Sequence, residues 1–187
     1  MDKKQQLLEV ATKLFVERGF HATPTSAITK EAGVSAGILF HYFKTKEDLI
    51  IAIYIKLKEE YANAIIVDIN KFKAGRSKLR LIWSNSWNWG LENPIKYLFL
   101  VQLDNSTYAN TVKNHPDIIA KHTMFSALIQ EYISERIVRD IDAVFLMTSM
   151  FSLITSMVNH LSIFPEQKND PSFIEHAWDM FYNYLKP

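Results

Sequence analysis

Between Thr23 and Leu49 the chain reads TPTSAITKEAGVSAGILFHYFKTKEDL, and its polar and apolar groups fall at spacings that suit a polyanionic partner. Hydroxyls at Thr25 and Ser26 can hold phosphate oxygens, and so can the ammonium of Lys46 at a helix N-terminus, while Ser35 opens the segment that would meet DNA. Ala36 and Ile38 offer methyl surface of the kind that packs against thymine methyls. Gly37, between them, has no side chain to keep another surface away from the backbone. His41 and Tyr42 follow about one turn later. The stretch Ala36–Phe43 has no Arg, Asn or Gln, so readout by hydrogen bonds to base edges is poor. Methyl contacts and DNA shape are left to discriminate sequences.

Three short helical segments must position these groups. Thr23 is a predicted N-cap with Pro24 at the first helical position, and Ala27, Ile28 and Ala32 form a small apolar face. Gly33 ends that helix where a left-handed residue is needed. Val34 fills the corner and Ser35 caps the next helix, Ala36 to Phe43. Thr45-Lys46-Glu47-Asp48 fits a capping box that opens a third helix. A helix, a glycine turn and a second short helix make a helix-turn-helix, whose second helix enters the DNA major groove.

The runs Ala32-Gly33-Val34-Ser35, Gly37-Ile38-Leu39-Phe40-His41-Tyr42-Phe43 and Lys46-Glu47-Asp48-Leu49 closely resemble the DNA-binding domain of TetR-type repressors. The match extends upstream through Ala11, Leu14, Phe15, Gly19 and Phe20, covering roughly the first quarter of the chain. The resemblance implies that His41 and Tyr42 hold groove-facing and phosphate-contacting positions. It also implies a ligand-binding domain in the remainder, without naming the ligand. Three departures matter. Phe40 stands where such proteins usually carry Tyr, so a hydroxyl contact is missing. Pro24 replaces a frequent Thr and removes a backbone donor. Thr29 sits where a small Ala usually packs the two helices together.

The 187 residues are 48% hydrophobic and 13% aromatic, ample for a core, and a formal net charge of only +1 argues against disorder. Affinity for DNA must therefore come from a local surface and not from bulk charge. The absence of cysteine excludes disulfides and thiol chemistry and is compatible with a cytoplasmic location, which is the expectation. The opening MDKKQQLLEV enters an amphipathic pattern directly and lacks the apolar core of a signal peptide. The most apolar stretch, Ala143 to Leu161, is interrupted by Thr148, Ser149, Ser152, Thr155, Ser156, Asn159 and His160, so no membrane span is expected.

Helical periodicity continues throughout, with no strand alternation or repeat. Helices are predicted over Lys3–Arg18, Lys46–Lys71, Arg76–Glu92 and from Pro94 to about Asn105, with a loop or irregular helix over Ser106–His115. A helix over Pro116–Val138 should turn Ile119, Phe125, Leu128, Ile129 and Ile133 inward. Asp140 should cap a helix reaching Phe164, and Asp170-Pro171 should open the last, with Phe173, Ala177, Met180, Phe181 and Tyr184. The predicted fold is all-α: a three-helix DNA-binding domain, 1–48, sharing a long helix with a larger helical ligand-binding and dimerisation domain, 49–187.

The larger region is rich in aromatics. Tyr61, Trp83, Trp87, Phe125 and Phe151, with Gln102 as a polar group, are predicted to line a ligand pocket, and His122 or Asn159 could add polarity. The last two long helices, with Phe145, Met150, Leu153, Met157 and Phe181, are predicted to form a homodimer. His115, His122, His160 and His176 lack metal-ligand spacing, and no nucleophile elbow or phosphate-binding glycine loop occurs. Neither an enzyme nor a cofactor is therefore expected. The reading that follows is a DNA-binding regulator, a repressor released from a palindromic operator by a small apolar or aromatic effector. The competing readings are an all-helical small-molecule binding or enzymatic protein with a vestigial helix-turn-helix, and a protein-interaction module.

Overall fold

The computed structural model describes residues 2–72 and 75–187, with the side chains of 70, 121–125 and 128 outside the described set. The described residues form ten α-helices and no strand: α1 Lys3–Arg18, α2 Thr25–Glu31, α3 Ala36–Tyr42, α4 Lys46–Ile65, α5 Arg76–Glu92, α6 Pro94–Asp104, α7 Ala109–Lys113, α8 Pro116–Ser134, α9 Ala143–Ile163 and α10 Pro171–Leu185. The fold is all-α, as the periodicity predicts. By packing it divides into two compact units, one of residues 1–60 and 93–119, the other of 61–92 and 120–187. Thus α6 and α7 join the helix-turn-helix in the first unit.

In the first unit α1 is central. Leu7, Ala11, Leu14 and Phe15 recur at helical spacing and are buried, as expected from that stripe. Phe15 and Phe20 meet at 5.2 Å, and Phe99 of α6 closes on Phe20 edge-on at 5.5 Å. Gly19 ends α1 at φ 81°, a backbone value that a side chain would disfavour.

Several predicted boundaries move, each for a tertiary reason. Thr23 does not cap α2. It is buried, and its hydroxyl donates to the carbonyls of Leu14 (3.2 Å) and Gly19 (2.8 Å), serving the open end of α1. Pro24 occupies the cap position instead, without a side-chain bond. Helix α4 stops at Ile65 and not at Lys71, because Asn85 of α5 donates to the carbonyls of Ile65 (3.3 Å) and Val67 (3.1 Å). The chain then turns through Asp68 at φ 62° into a short 3₁₀ segment, Ile69–Lys71. Helix α8 ends at Ser134, where Ile137 N–H returns to the Tyr132 carbonyl at 2.9 Å around a left-handed Arg136. Asp142, and not Asp140, then caps α9 by accepting from Phe145 N–H at 2.7 Å.

The second unit is built on aromatics. Trp83, Trp178 and Phe181 are buried together, with Trp83 at 5.5 Å from Trp178 and 5.9 Å from Trp87. Two expected inward residues face out: on α8 Ile118 is buried and Ile119 exposed, and on α10 Met180 is 76% exposed while Trp178 and Phe181 fill the interior. On α9, Leu146, Ile154, Met157, Val158 and Leu161 are buried, whereas Val144, Phe145, Leu153 and Ile163 face outward.

Candidate nucleic-acid interface

The turn between α2 and α3 is over-determined by short-range bonds. Gly33 adopts φ 61°, Gly33 N–H returns to the Lys30 carbonyl at 3.2 Å, and Val34 N–H to that of Thr29 at 3.0 Å. From α1, Gln6 Nε2 donates to the Ala32 carbonyl at 2.9 Å and ties the turn to the domain core. Thr29 is buried, and its hydroxyl is satisfied by the Ser26 carbonyl at 3.1 Å, so the hydroxyl in place of a small residue is accommodated. Ser35 Oγ accepts from Ile38 N–H at 3.4 Å and caps α3. The capping box is reciprocal: Thr45 N–H donates to Asp48 Oδ2 and Asp48 N–H to Thr45 Oγ1, both at 3.0 Å.

This framework fixes which face α3 presents. Leu39, and Phe43 just beyond the helix, are buried, and Ile38 is half-buried. Ser35, Ala36, Gly37, Phe40, His41 and Tyr42 are exposed, with the His41 and Tyr42 rings edge-on at 5.1 Å. On α2, Ser26 is exposed and Thr25 half-buried. Of the expected DNA-facing residues on α2 and α3, all are exposed except Thr25 and Ile38, which are half-buried.

Gly37 is informative for what it does not do in the fold. It lies inside α3, outside the positive-φ region, so its conformation needs no glycine. A Cβ placed there would meet only Ser35 Oγ, at 3.8 Å. No other described residue takes up the space, yet glycine in a helix costs about 1 kcal/mol relative to alanine.

Lys46 sits differently from the sequence expectation of a free phosphate clamp. Its ammonium donates to the Phe20 carbonyl and lies 5.7 Å from the centre of the Phe15 ring. Burial lowers its pKa from the usual 10.5, and Glu47 partly offsets that. The positively charged end of α4 is thereby held against the end of α1. Gln6 and Phe20, which help to fix this geometry, were not singled out as positioning groups in the sequence, because each acts through a partner distant along the chain; Thr23 was expected to cap α2 and instead serves the carbonyls of α1.

The residues predicted to line a ligand pocket are not brought together as one set. Tyr61 meets Trp89 at 5.2 Å and Phe151 at 6.2 Å, while Trp83 and Trp87 belong to the Trp178 cluster. Gln102 is in the first unit, where its Nε2 donates to the Val16 carbonyl at 3.3 Å. Asn159 is exposed, and the side chains of Phe125 and His122 lie outside the described set. Four buried polar atoms lack a hydrogen-bond partner among the described residues: the indole N–H groups of Trp87 and Trp178, His115 Nδ1 and Arg139 Nε. A cleft of about 230 Å³ in the first unit, between α1, α4 and α6, is floored by Leu8, Ile53 and Leu57 and borders none of the predicted ligand residues. No group of three His, Cys, Asp or Glu side chains suited to a metal occurs among the described residues.

Residues 7–53 match the model for bacterial regulatory proteins of the tetR family. The chain is similar to a fatty acid metabolism regulator protein of Bacillus subtilis (strain 168), with 30% identity over 86 residues, which is 46% of this chain and 44% of that relative. The similarity thus spans less than half of the relative's length. Among solved structures, a protein assigned to the tetR family from Shewanella sp. PV-4 superposes with a TM-score of 0.89 at 25% identity, over 100% of both chains. The transcriptional regulator FadR of Bacillus subtilis, solved in complex with stearoyl-CoA, superposes with a TM-score of 0.70 over 96% of this chain and 98% of that one. Its 20% identity speaks to fold alone.

Proposed function

We propose that this chain, whose residues 7–53 match the model for the tetR family of bacterial regulatory proteins, is a DNA-binding transcriptional regulator that docks α3 in the major groove of a palindromic operator. Gly37 carries the reading. The fold neither requires a glycine there nor fills the space beside it, so the close approach it permits serves a surface outside the chain. Thr25, Ser26, Tyr42 and the N-terminal end of α4 at Lys46 hold phosphates, while Ala36, Gly37, Ile38 and His41 face the bases. Residues 1–48 then form the DNA-binding part and 49–187 the regulatory part, a functional division that differs from the division by packing. An enzymatic role leaves the vacant flank of Gly37 without a purpose, and selection from random duplexes separates DNA from a protein partner.

The regulator acts as a homodimer, one α3 per half-site. The outward face of α9 supports this. Val144, Phe145, Leu153 and Ile163 flank Thr148 and Ser152, whose hydroxyls bond to the carbonyls of Val144 (2.8 Å) and Thr148 (3.0 Å). With those hydroxyls already satisfied, a second copy can cover the face at little polar cost. Met157 and Phe181 are buried in their own chain and leave the predicted contact set, and Met180 joins it.

The effector is an apolar molecule bearing a hydrogen-bond acceptor, received by the second unit. Supporting this are the buried, unpartnered indole N–H groups of Trp87 and Trp178, each costing about 1–3 kcal/mol while unsatisfied. Gln102, engaged with Val16, is not the polar contact. The likeness to a fatty acid metabolism regulator makes a long acyl chain the first effector to test. Tyr61 is where α4 enters the second unit, so an effector that displaces it acts on the same helix that begins at Lys46. An effector favouring the DNA-incompetent state about 100-fold supplies roughly 2.7 kcal/mol of coupling. The experiment is a paired titration, following tryptophan fluorescence, with and without operator. Equal weakening of effector by operator and of operator by effector supports repression with release; identical effector affinity in both conditions rejects it.

A further inference from the structure

We propose that Phe40 reads a thymine methyl group in the major groove and is a specificity-determining residue of this chain. The inference rests on the DNA-binding reading above. Phe40 is 48% exposed on α3, three residues after Gly37 and so on the same helical face. The opposite side of the helix is satisfied without it, since Leu39 and Phe43 fill the core. His41 pairs with Tyr42, and Tyr42 lies 6.3 Å from Phe43, whereas no ring contact among the described residues includes Phe40. Its phenyl ring is therefore held half-exposed at the surface by the helix and enters no ring contact among the described residues.

The chemistry of the face selects the target. From Ala36 to Phe40 no side chain carries a hydrogen-bond donor or acceptor. This part of the helix discriminates base pairs by shape and apolar contact alone. Among the four bases only thymine presents a methyl group in the major groove. Gly37 lets the helix backbone approach closely, which carries the ring at the next turn toward the groove floor. A phenyl ring has no hydroxyl with which to hold a phosphate, so it gains most by covering a methyl.

The test uses the full-length dimer and the duplex it selects from a random pool. Each thymine is replaced in turn, symmetrically in both half-sites, by deoxyuridine, which lacks only the methyl. Loss of one methyl contact should weaken wild-type binding about fourfold per half-site, or about fifteenfold for the symmetric pair. Phe40→Ala should lose this sensitivity at one thymine position only and keep the thermal midpoint of the wild type. Phe40→Tyr, which retains the ring, should keep it. Wild-type affinity indifferent to every deoxyuridine, or Phe40→Ala as sensitive as wild type at every position, overturns the proposal while leaving operator binding intact. Selection of no duplex at all overturns the DNA-binding reading, and this inference with it.

Discussion

The helix-turn-helix and the aromatic interior of the second unit are both helical, yet they are specified in different ways. In the first, each turn is set by residues close in sequence. Gly33 supplies the left-handed turn, Ser35 caps α3, and Thr45 with Asp48 closes a reciprocal box. In the second, α9 is apolar around most of its circumference, so which face packs inward depends on what α5 and α10 bring to it. Local signals fix the turns of the helix-turn-helix; a helix rich in apolar residues on all sides leaves its faces to tertiary packing.

Substitutions can sharpen or break that contrast. The largest effect is expected on the outer face of α9. Phe145→Glu combined with Leu153→Glu places two charges where an apolar partner surface is proposed. Dimer affinity should fall by about 100-fold or more, with operator binding lost in parallel, as light scattering and gel shift can follow. An unchanged dimer would place the interface elsewhere. Met157→Glu should instead unfold the chain, because Met157 is buried within it.

Next comes Lys46→Ala. Losing the bond to the Phe20 carbonyl should cost about 1–2 kcal/mol of stability, measured by denaturant unfolding, and should weaken binding to all duplexes about evenly. A loss of affinity with full stability would mean that the ammonium serves phosphate alone. Gln102→Ala should cost about 1 kcal/mol through its bond to Val16 and leave effector affinity unchanged. A weakened effector would return Gln102 to the pocket.

The smallest effect is a pH dependence. Glu175 is paired with Arg80, whose Nη1 lies 2.8 Å from Oε2, and the hydrogen bond holds its carboxyl pKa below the usual 4.5. A carboxyl depressed on folding contributes stability at neutral pH and loses that contribution as pH falls through its folded pKa. Glu175→Gln should therefore lower the thermal midpoint slightly at pH 7 and flatten its fall below about pH 4.5, so that the two proteins converge in acid. The same slope in both proteins would show that this exposed pair contributes nothing measurable.

The first unit was largely legible from residue types and spacing, down to the reciprocal bonds of Thr45 and Asp48. Where the reading failed there, another partner had claimed the residue: the Thr23 hydroxyl serves the carbonyls of α1 and not the start of α2. The bond from Lys46 to the Phe20 carbonyl, 26 residues away, was likewise not legible in the sequence. Further along, Asp140 and Asp142 are equivalent as caps in the sequence, and only the preceding turn at Arg136 selects Asp142. The end of α4 depends on Asn85, twenty residues beyond Ile65. Ile118 and Ile119 are adjacent apolar residues, so periodicity alone cannot decide which is buried. The aromatics marked candidates for a ligand site but could not show that Gln102 packs with α1 while Trp83 and Trp87 pack with Trp178.

The central claim is that α3 is shaped to approach DNA, with Gly37 as its closest point. The most direct measurement is selection from random duplexes by wild type and by Gly37→Val in parallel, with thermal unfolding and oligomeric state recorded for both. The account predicts a two-fold symmetric site enriched by wild type and none by Gly37→Val. It also predicts that the variant remains a folded dimer, since the space beside Gly37 is open. Enrichment of the same site by both proteins, at similar affinity, would contradict it.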